Sequence, residues 1–87
     1  MKLMIVIVRD IDSENVIQAL VAKDLRVTRV ASTGGFLRRG NVTLLIGVES
    51  EKVDSVIDLL RQTCSPPDGE QHRATIFVSD MPHFEQI

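Results

Sequence analysis

The N-terminal stretch Leu3-Met4-Ile5-Val6-Ile7-Val8 is an unbroken apolar run rich in β-branched residues. Such a run predicts a strand that is buried on both faces. Successive side chains of a strand point to opposite faces, so each face would carry three apolar side chains. One face would carry Leu3, Ile5 and Ile7, and the other Met4, Val6 and Val8. The run is six residues long, which is too short to cross a membrane.

Three more strands and two helices are predicted downstream of this run. β-branched residues cluster in residues 26–32, 41–48 and 74–78, which is typical of strands. Apolar residues recur at helical spacing in residues 13–23 and from Ser50 to near Cys64. The order β-α-β-β-α-β with right-handed crossovers predicts an α+β, ferredoxin-like fold. In that fold a four-stranded antiparallel sheet carries both helices on one face.

Polar residues at the helix ends are interpreted as caps and solvated positions. Residues 9–12 are expected to form a turn, with Asp12 or Ser13 capping the first helix and Ser50 the second. The acidic residues Asp10, Glu14 and Asp24 are assigned the same roles, and no catalytic pair of carboxylates is predicted.

Length and composition limit the possible classes of protein. With 87 residues the chain is expected to form one domain over residues 1–87, and 44% hydrophobic with 25% charged residues is a globular composition. Aromatic residues make up 3% and the net charge is -2, which argues against binding of a nucleic-acid polymer. The single Cys64 excludes an internal disulfide, and neither it nor His72 and His83 has metal-ligand spacing. No signal-peptide pattern is present, so a cytoplasmic location is expected.

The two apolar faces of the first strand predict an oligomer. Two helices cover only one face of a four-stranded sheet, which leaves the other apolar face in water in a monomer. At about 25 cal/mol per Å² of apolar surface, covering that face favours association by several kcal/mol. Coverage by the C-terminal residues 79–87 is the alternative.

The glycine-rich stretch Thr33-Gly34-Gly35-Phe36-Leu37-Arg38-Arg39-Gly40-Asn41 has the composition of a nucleotide-binding loop. Glycine N–H groups and arginines would contact phosphate, Phe36 or Leu37 a base face, and Asn41 a base edge. A hairpin loop with solvated arginines is the alternative. The paired cysteines of a metal chaperone, the glycine-rich first loop of an acylphosphatase and the strand aromatics of an RNA-recognition domain are all missing. These absences favour a binding or regulatory module over an enzyme.

Residues 31–43 resemble the signature of the PII-like cyclic-di-AMP receptors, which are related to the nitrogen regulatory PII proteins. The resemblance also includes residues 1–5, 26–28, 62–64, 74–78 and 84–86, so its segments are spread along nearly the whole chain. In those receptors the loop between the second helix and the fourth strand is usually long. Here the corresponding residues 65–72 number only eight.

The resemblance implies a bacterial signalling protein that binds cyclic di-AMP between the subunits of a homotrimer and reports it to an unidentified partner protein. It implies no catalytic residue, no metal, no cofactor and no membrane insertion. The implied ligand contacts are Arg26, Thr28, Gly35, Phe36, Leu37, Asn41 and Gly47, with Phe77 and Gln86 as looser matches. A module of the same fold that binds another nucleotide or a small anion is the alternative.

The first prediction concerns assembly. Because the second apolar sheet face needs cover, sedimentation at micromolar concentration should give about three times the chain mass of 9.7 kDa. The number three comes from the resemblance alone. A monomer would contradict both the packing argument and the trimer.

Overall fold

The computed structural model describes residues 1–32, 40–67, 69 and 72–87 of the chain. Within them the predicted order of strands and helices is confirmed. The elements are β1 (Lys2–Arg9), α1 (Asp10–Val21), β2 (Val27–Ser32), β3 (Asn41–Val48), a 3-10 turn (Ser50–Lys52), α2 (Val53–Thr63) and β4 (Ala74–Asp80). Among the described residues, no helix has both the length and the apolar character needed to span a membrane.

The four strands form one antiparallel sheet in the order β2-β3-β1-β4. β1 is central, and its Ile5 lies opposite Leu45 of β3 on one side and Phe77 of β4 on the other. The register of β2 against β3 shifts between Arg29 and Ala31. This topology confirms the predicted α+β, ferredoxin-like fold.

One face of the sheet packs against both helices and forms the core. Alternate residues of β1 and β3 on this face are buried together with residues of α1 and α2. The fully buried members include Met4, Val6, Val8, Val16, Leu20, Val42, Leu44, Ile46, Val48, Val56 and Leu60. The helical residues recur at a spacing of four, which places them on one side of each helix.

The opposite face, called here the open face, carries no helix of the described residues. Leu3, Ile5 and Ile7 of β1 and Leu45 of β3 are half-buried on it. Phe77 of β4 shares this face and is 55% exposed. The alternation predicted for β1 is therefore present, and cover of the open face by a second subunit stays a prediction.

The prediction of a turn at residues 9–12 is wrong. In the structure these residues contain a buried ion pair between Arg9 and Asp12. α1 begins at Asp10, directly after β1, and Asp12 is fully buried instead of capping a helix. The Arg9 guanidinium donates to Asp12 Oδ2 from Nη2 at 2.9 Å and from Nε at 3.2 Å. Ser65 donates to Asp12 Oδ1 from both its backbone N–H and its hydroxyl.

The same hydrogen-bond network fixes the segment that follows α2, at Ser65 and Pro66. Arg9 also donates to the carbonyl oxygens of Ser65 and Pro66. In the part of the chain that the structure describes, no buried side-chain nitrogen or oxygen lacks a hydrogen-bond partner. Burial raises the pKa of the Asp12 carboxyl, but the hydrogen bonds from Ser65 and Arg9 outweigh it. The pKa therefore lies below its ordinary value.

The start of α2 also differs from the prediction. Ser50 begins the 3-10 turn and makes no side-chain cap hydrogen bond, so its predicted role as a cap is wrong. The α-helix begins at Val53 and ends at Thr63, and Cys64 directly after it is buried.

The second prediction compares two Arg–Asp pairs with the same spacing of three residues. Asp12→Ala leaves the buried Arg9 without its carboxylate and should lower the free energy of unfolding by about 3–5 kcal/mol. Asp58→Ala removes an exposed pair with Arg61 and should cost less than about 1 kcal/mol. Urea denaturation of both variants at neutral pH measures the difference.

The pH dependence of Asp12→Ala gives a control on this explanation. A carboxyl with a depressed folded pKa contributes stability above its unfolded pKa, about 3.9, and loses it as pH falls through the folded pKa. The deficit of Asp12→Ala should therefore shrink in acid below pH ~4. Equal losses for the two variants at neutral pH would contradict the role of burial.

Candidate ligand-binding site

A cavity of about 520 Å³ lies at one end of the open face and is called here the Arg26 cavity. Its size is within the range of small-molecule sites. Four parts of the chain supply its lining: the sheet, the turn after α1, the segment before α2, and the two ends of the chain. The lining residues are Met1, Leu3, Asp24, Leu25, Arg26, Thr28, Leu45, Gly47, Val48, Glu49, Lys52, Met81, Phe84 and Gln86.

The turn after α1 positions Arg26. Asp24 has a φ of 60°, and the N–H groups of Asp24 and Leu25 donate to the carbonyls of Val21 and Leu20. These two bonds end the helix in the manner of a Schellman turn, with an aspartate where glycine is commonest. Leu25 then packs against the core, and Arg26 follows at the edge of the cavity.

Residues 81–87, the C-terminal tail, return across the open face. The N–H of Met81 donates to the carbonyl of Met1, and Gln86 Oε1 accepts a hydrogen bond of 2.7 Å from Arg26 Nη1. The tail thus reaches the strand that carries Thr28, at the far edge of the sheet from β4. The C-terminal residues therefore cover this end of the open face, as the alternative to an oligomer expected. They leave Phe77 on the same face exposed.

Gly47 provides space in the cavity. Its φ lies outside the left-handed region, so the backbone itself does not require glycine there. A Cβ at this position would lie 3.4 Å from Met81 Cε and 3.8 Å from Met1 Cε. The missing side chain therefore leaves room for two methionine ends and for the cavity beside them.

The structure brings four of the nine predicted ligand contacts together. Arg26, Thr28, Gly47 and Gln86 all line the Arg26 cavity. Residues two apart on a strand point to the same side, and Arg26 and Thr28 both line the cavity although β2 begins only at Val27. Gly35, Phe36 and Leu37 fall outside the residues that the structure describes.

Asn41 and Phe77 share the open face but do not line the cavity. Thr28, Leu45, Ile5 and Phe77 form one row across the sheet. Three strand spacings therefore separate Thr28 from Phe77, about 14 Å. Asn41 and Gly47 stand at opposite ends of β3, six residues and about 20 Å apart.

Sequence reasoning missed several lining residues. Lys52 and Glu49 come from the segment before α2, and Met81 and Phe84 come from the tail. The charged lining side chains are two cations, Arg26 and Lys52, and two anions, Asp24 and Glu49. No local sequence signal links positions 26, 52 and 84, because the folded sheet alone brings them together.

The cysteine and the two histidines of the chain do not line the Arg26 cavity. Cys64 is buried, and burial together with the charge of Asp12 raises the pKa of its thiol, which disfavours the thiolate. His72 and His83 are exposed. Among the residues described, no group of three or more His, Cys, Asp or Glu side chains is placed to hold a metal ion.

Comparison with known proteins identifies the family. Residues 1–71 match the family model described as cyclic-di-AMP receptor. The chain belongs to the cyclic-di-AMP receptor family. The match contains Arg26, Thr28 and Gly47 but ends before Phe77 and Gln86.

A solved structure resembles this chain along almost its whole length. It is the crystal structure of a functionally unknown protein from Pediococcus pentosaceus, with a TM-score of 0.79 and 29% identity. The alignment covers 99% of this chain and 96% of the other chain. The similarity therefore includes β4 and the tail, which the family match does not reach.

The third prediction tests whether glycine is needed at position 47 for the space around it or for the conformation of its backbone. Gly47→Ala should change the free energy of unfolding by less than about 1 kcal/mol, because alanine suits a strand better and the nearest atoms are flexible methionine ends. Leu44→Ala on the buried face of the same strand should cost about 2–5 kcal/mol. Urea denaturation distinguishes them. A comparable loss for Gly47→Ala would mean that the tail cannot move aside.

Proposed function

We propose that the chain is a bacterial, cytoplasmic PII-like receptor that binds cyclic di-AMP between the subunits of a homotrimer. On this proposal it reports the ligand to a partner protein and catalyses no reaction. Family membership supports the ligand, and the assembly of four predicted contacts in one cavity is the observation that carries the proposed site.

The chemistry of the cavity suits a phosphate-containing ligand. Arg26 offers a guanidinium beside the Thr28 hydroxyl, on a surface that Leu3, Leu45 and Phe84 make partly apolar. A guanidinium binds phosphate through charge-assisted hydrogen bonds, and the apolar residues suit the faces of the bases.

The separation of the predicted contacts supports a site shared between subunits. Within one chain Phe77 is about 14 Å from Thr28, and Asn41 is about 20 Å from Gly47 along the strand. A second subunit on the open face would bury Ile5 and Phe77 and could bring its own contacts to the Arg26 cavity. The apolar character of that face favours such packing.

The fourth prediction compares the two arginines of the β2 region. Arg26→Gln should weaken cyclic di-AMP binding by about 1.5–3 kcal/mol, the usual worth of a hydrogen bond to a charged group. Arg29→Gln is the matched control, because Arg29 points to the other face of the sheet and pairs with Glu14 at 2.8 Å. Its affinity should stay within about 0.5 kcal/mol of the wild type. Isothermal titration calorimetry measures both.

Two results would contradict the proposal. Equal losses for the two arginine variants would mean that the ligand does not occupy the Arg26 cavity. A thermal-shift panel of cyclic and linear nucleotides tests the ligand itself, since a ligand at 100 times its Kd adds about 2.7 kcal/mol of stability. Stabilisation by another nucleotide but not by cyclic di-AMP would favour the alternative module of the same fold.

A further inference from the structure

We infer that Lys52 is a second phosphate-binding residue of the Arg26 cavity. The inference rests on the proposed function, since it assigns a role within the same site. A cyclic dinucleotide carries two phosphates, and among the described lining side chains Lys52 is the second cation beside Arg26.

Lys52 is placed to reach a ligand. It lines the Arg26 cavity together with Arg26, although the two residues are 26 positions apart in the sequence. The residue is exposed, and its ammonium group makes no hydrogen bond or ion pair with the described residues. By contrast, Arg9, Arg29 and Arg61 each pair with a carboxylate.

The side chain of Lys52 does not stabilise the start of α2 by a hydrogen bond. Lys52 occupies the N-cap of α2 and makes no side-chain cap hydrogen bond. Lysine is not a preferred N-cap residue, and a cation at the positive end of a helix is unfavourable. A bound phosphate would turn this unfavourable position into a favourable one by placing an anion beside the ammonium group.

Lys52 offsets one of the two negative charges among the side chains that line the cavity. Its charged lining side chains are Arg26 and Lys52 against Asp24 and Glu49, so they sum to zero among the described residues. Without Lys52 the charges of these lining side chains sum to -1, which is less favourable for a dianionic ligand. The whole chain has a net charge of -2, so it exerts no long-range attraction on an anionic ligand that would compensate for the loss of Lys52.

The test is a set of three variants titrated with cyclic di-AMP by calorimetry. Lys52→Gln removes the charge, and Lys52→Arg keeps it. Lys23→Gln is the matched control, because Lys23 is another exposed lysine without an ion-pair partner among the described residues. It lines the neighbouring groove between the α1 turn and α2, which Lys52 also borders, and it does not line the Arg26 cavity.

At about 50 mM salt we expect Lys52→Gln to weaken binding by about 10-fold or more, and Lys52→Arg and Lys23→Gln to stay within about 3-fold of the wild type. At about 500 mM salt the deficit of Lys52→Gln should shrink, because salt screens an exposed cation. A deficit below about 2-fold, or an equal deficit in Lys23→Gln, would overturn the inference. Failure of the wild type itself to bind would overturn the proposed function, and this inference with it.

Discussion

Two helices can cover only one face of a four-stranded sheet, and the organisation of this molecule follows from that limit. β1 lies in the middle of the sheet and is apolar on both faces, so one set of its side chains enters the core and the other remains half-buried. The tail crosses one end of the open face and encloses the Arg26 cavity there. The candidate site therefore forms where the fold leaves apolar surface without a helix.

The two ends of the open face have different local structure. At the Arg9 end, the N–H of Asp10 donates to the carbonyl of Gly40, and the Arg9–Asp12 pair holds Ser65 and Pro66. Gly40, directly before β3, and Ser65 and Pro66, directly after α2, are thus tied to the junction of β1 and α1. The Arg26 cavity lies at the other end, where the first and last residues of the chain meet.

The order of strands and helices could be predicted from the sequence because each element has a pattern that is visible over a few residues. β-branched runs and helical spacing are visible over a few residues, and they placed every strand and helix in order. The buried Asp12 was misread because aspartate favours helix caps in general, whereas here its partner Ser65 is 53 positions away. The site was predictable only in part for the same reason. The resemblance implied Arg26 and Thr28, which lie two positions apart, but Lys52, Met81 and Phe84 reach the cavity only through the tertiary structure.

The partner that holds Arg26 in the free chain also matters for ligand binding. Arg26 donates to the neutral amide of Gln86, whereas Arg29 donates to the carboxylate of Glu14. A phosphate that replaces Gln86 exchanges a neutral acceptor for a charged one, which strengthens the hydrogen bond to the guanidinium. A phosphate that replaced Glu14 would exchange one anion for another and leave a carboxylate unpaired. Arg26 is thus held in place by a bond that a phosphate can outcompete, and the tail that supplies this bond is also part of the cavity lining.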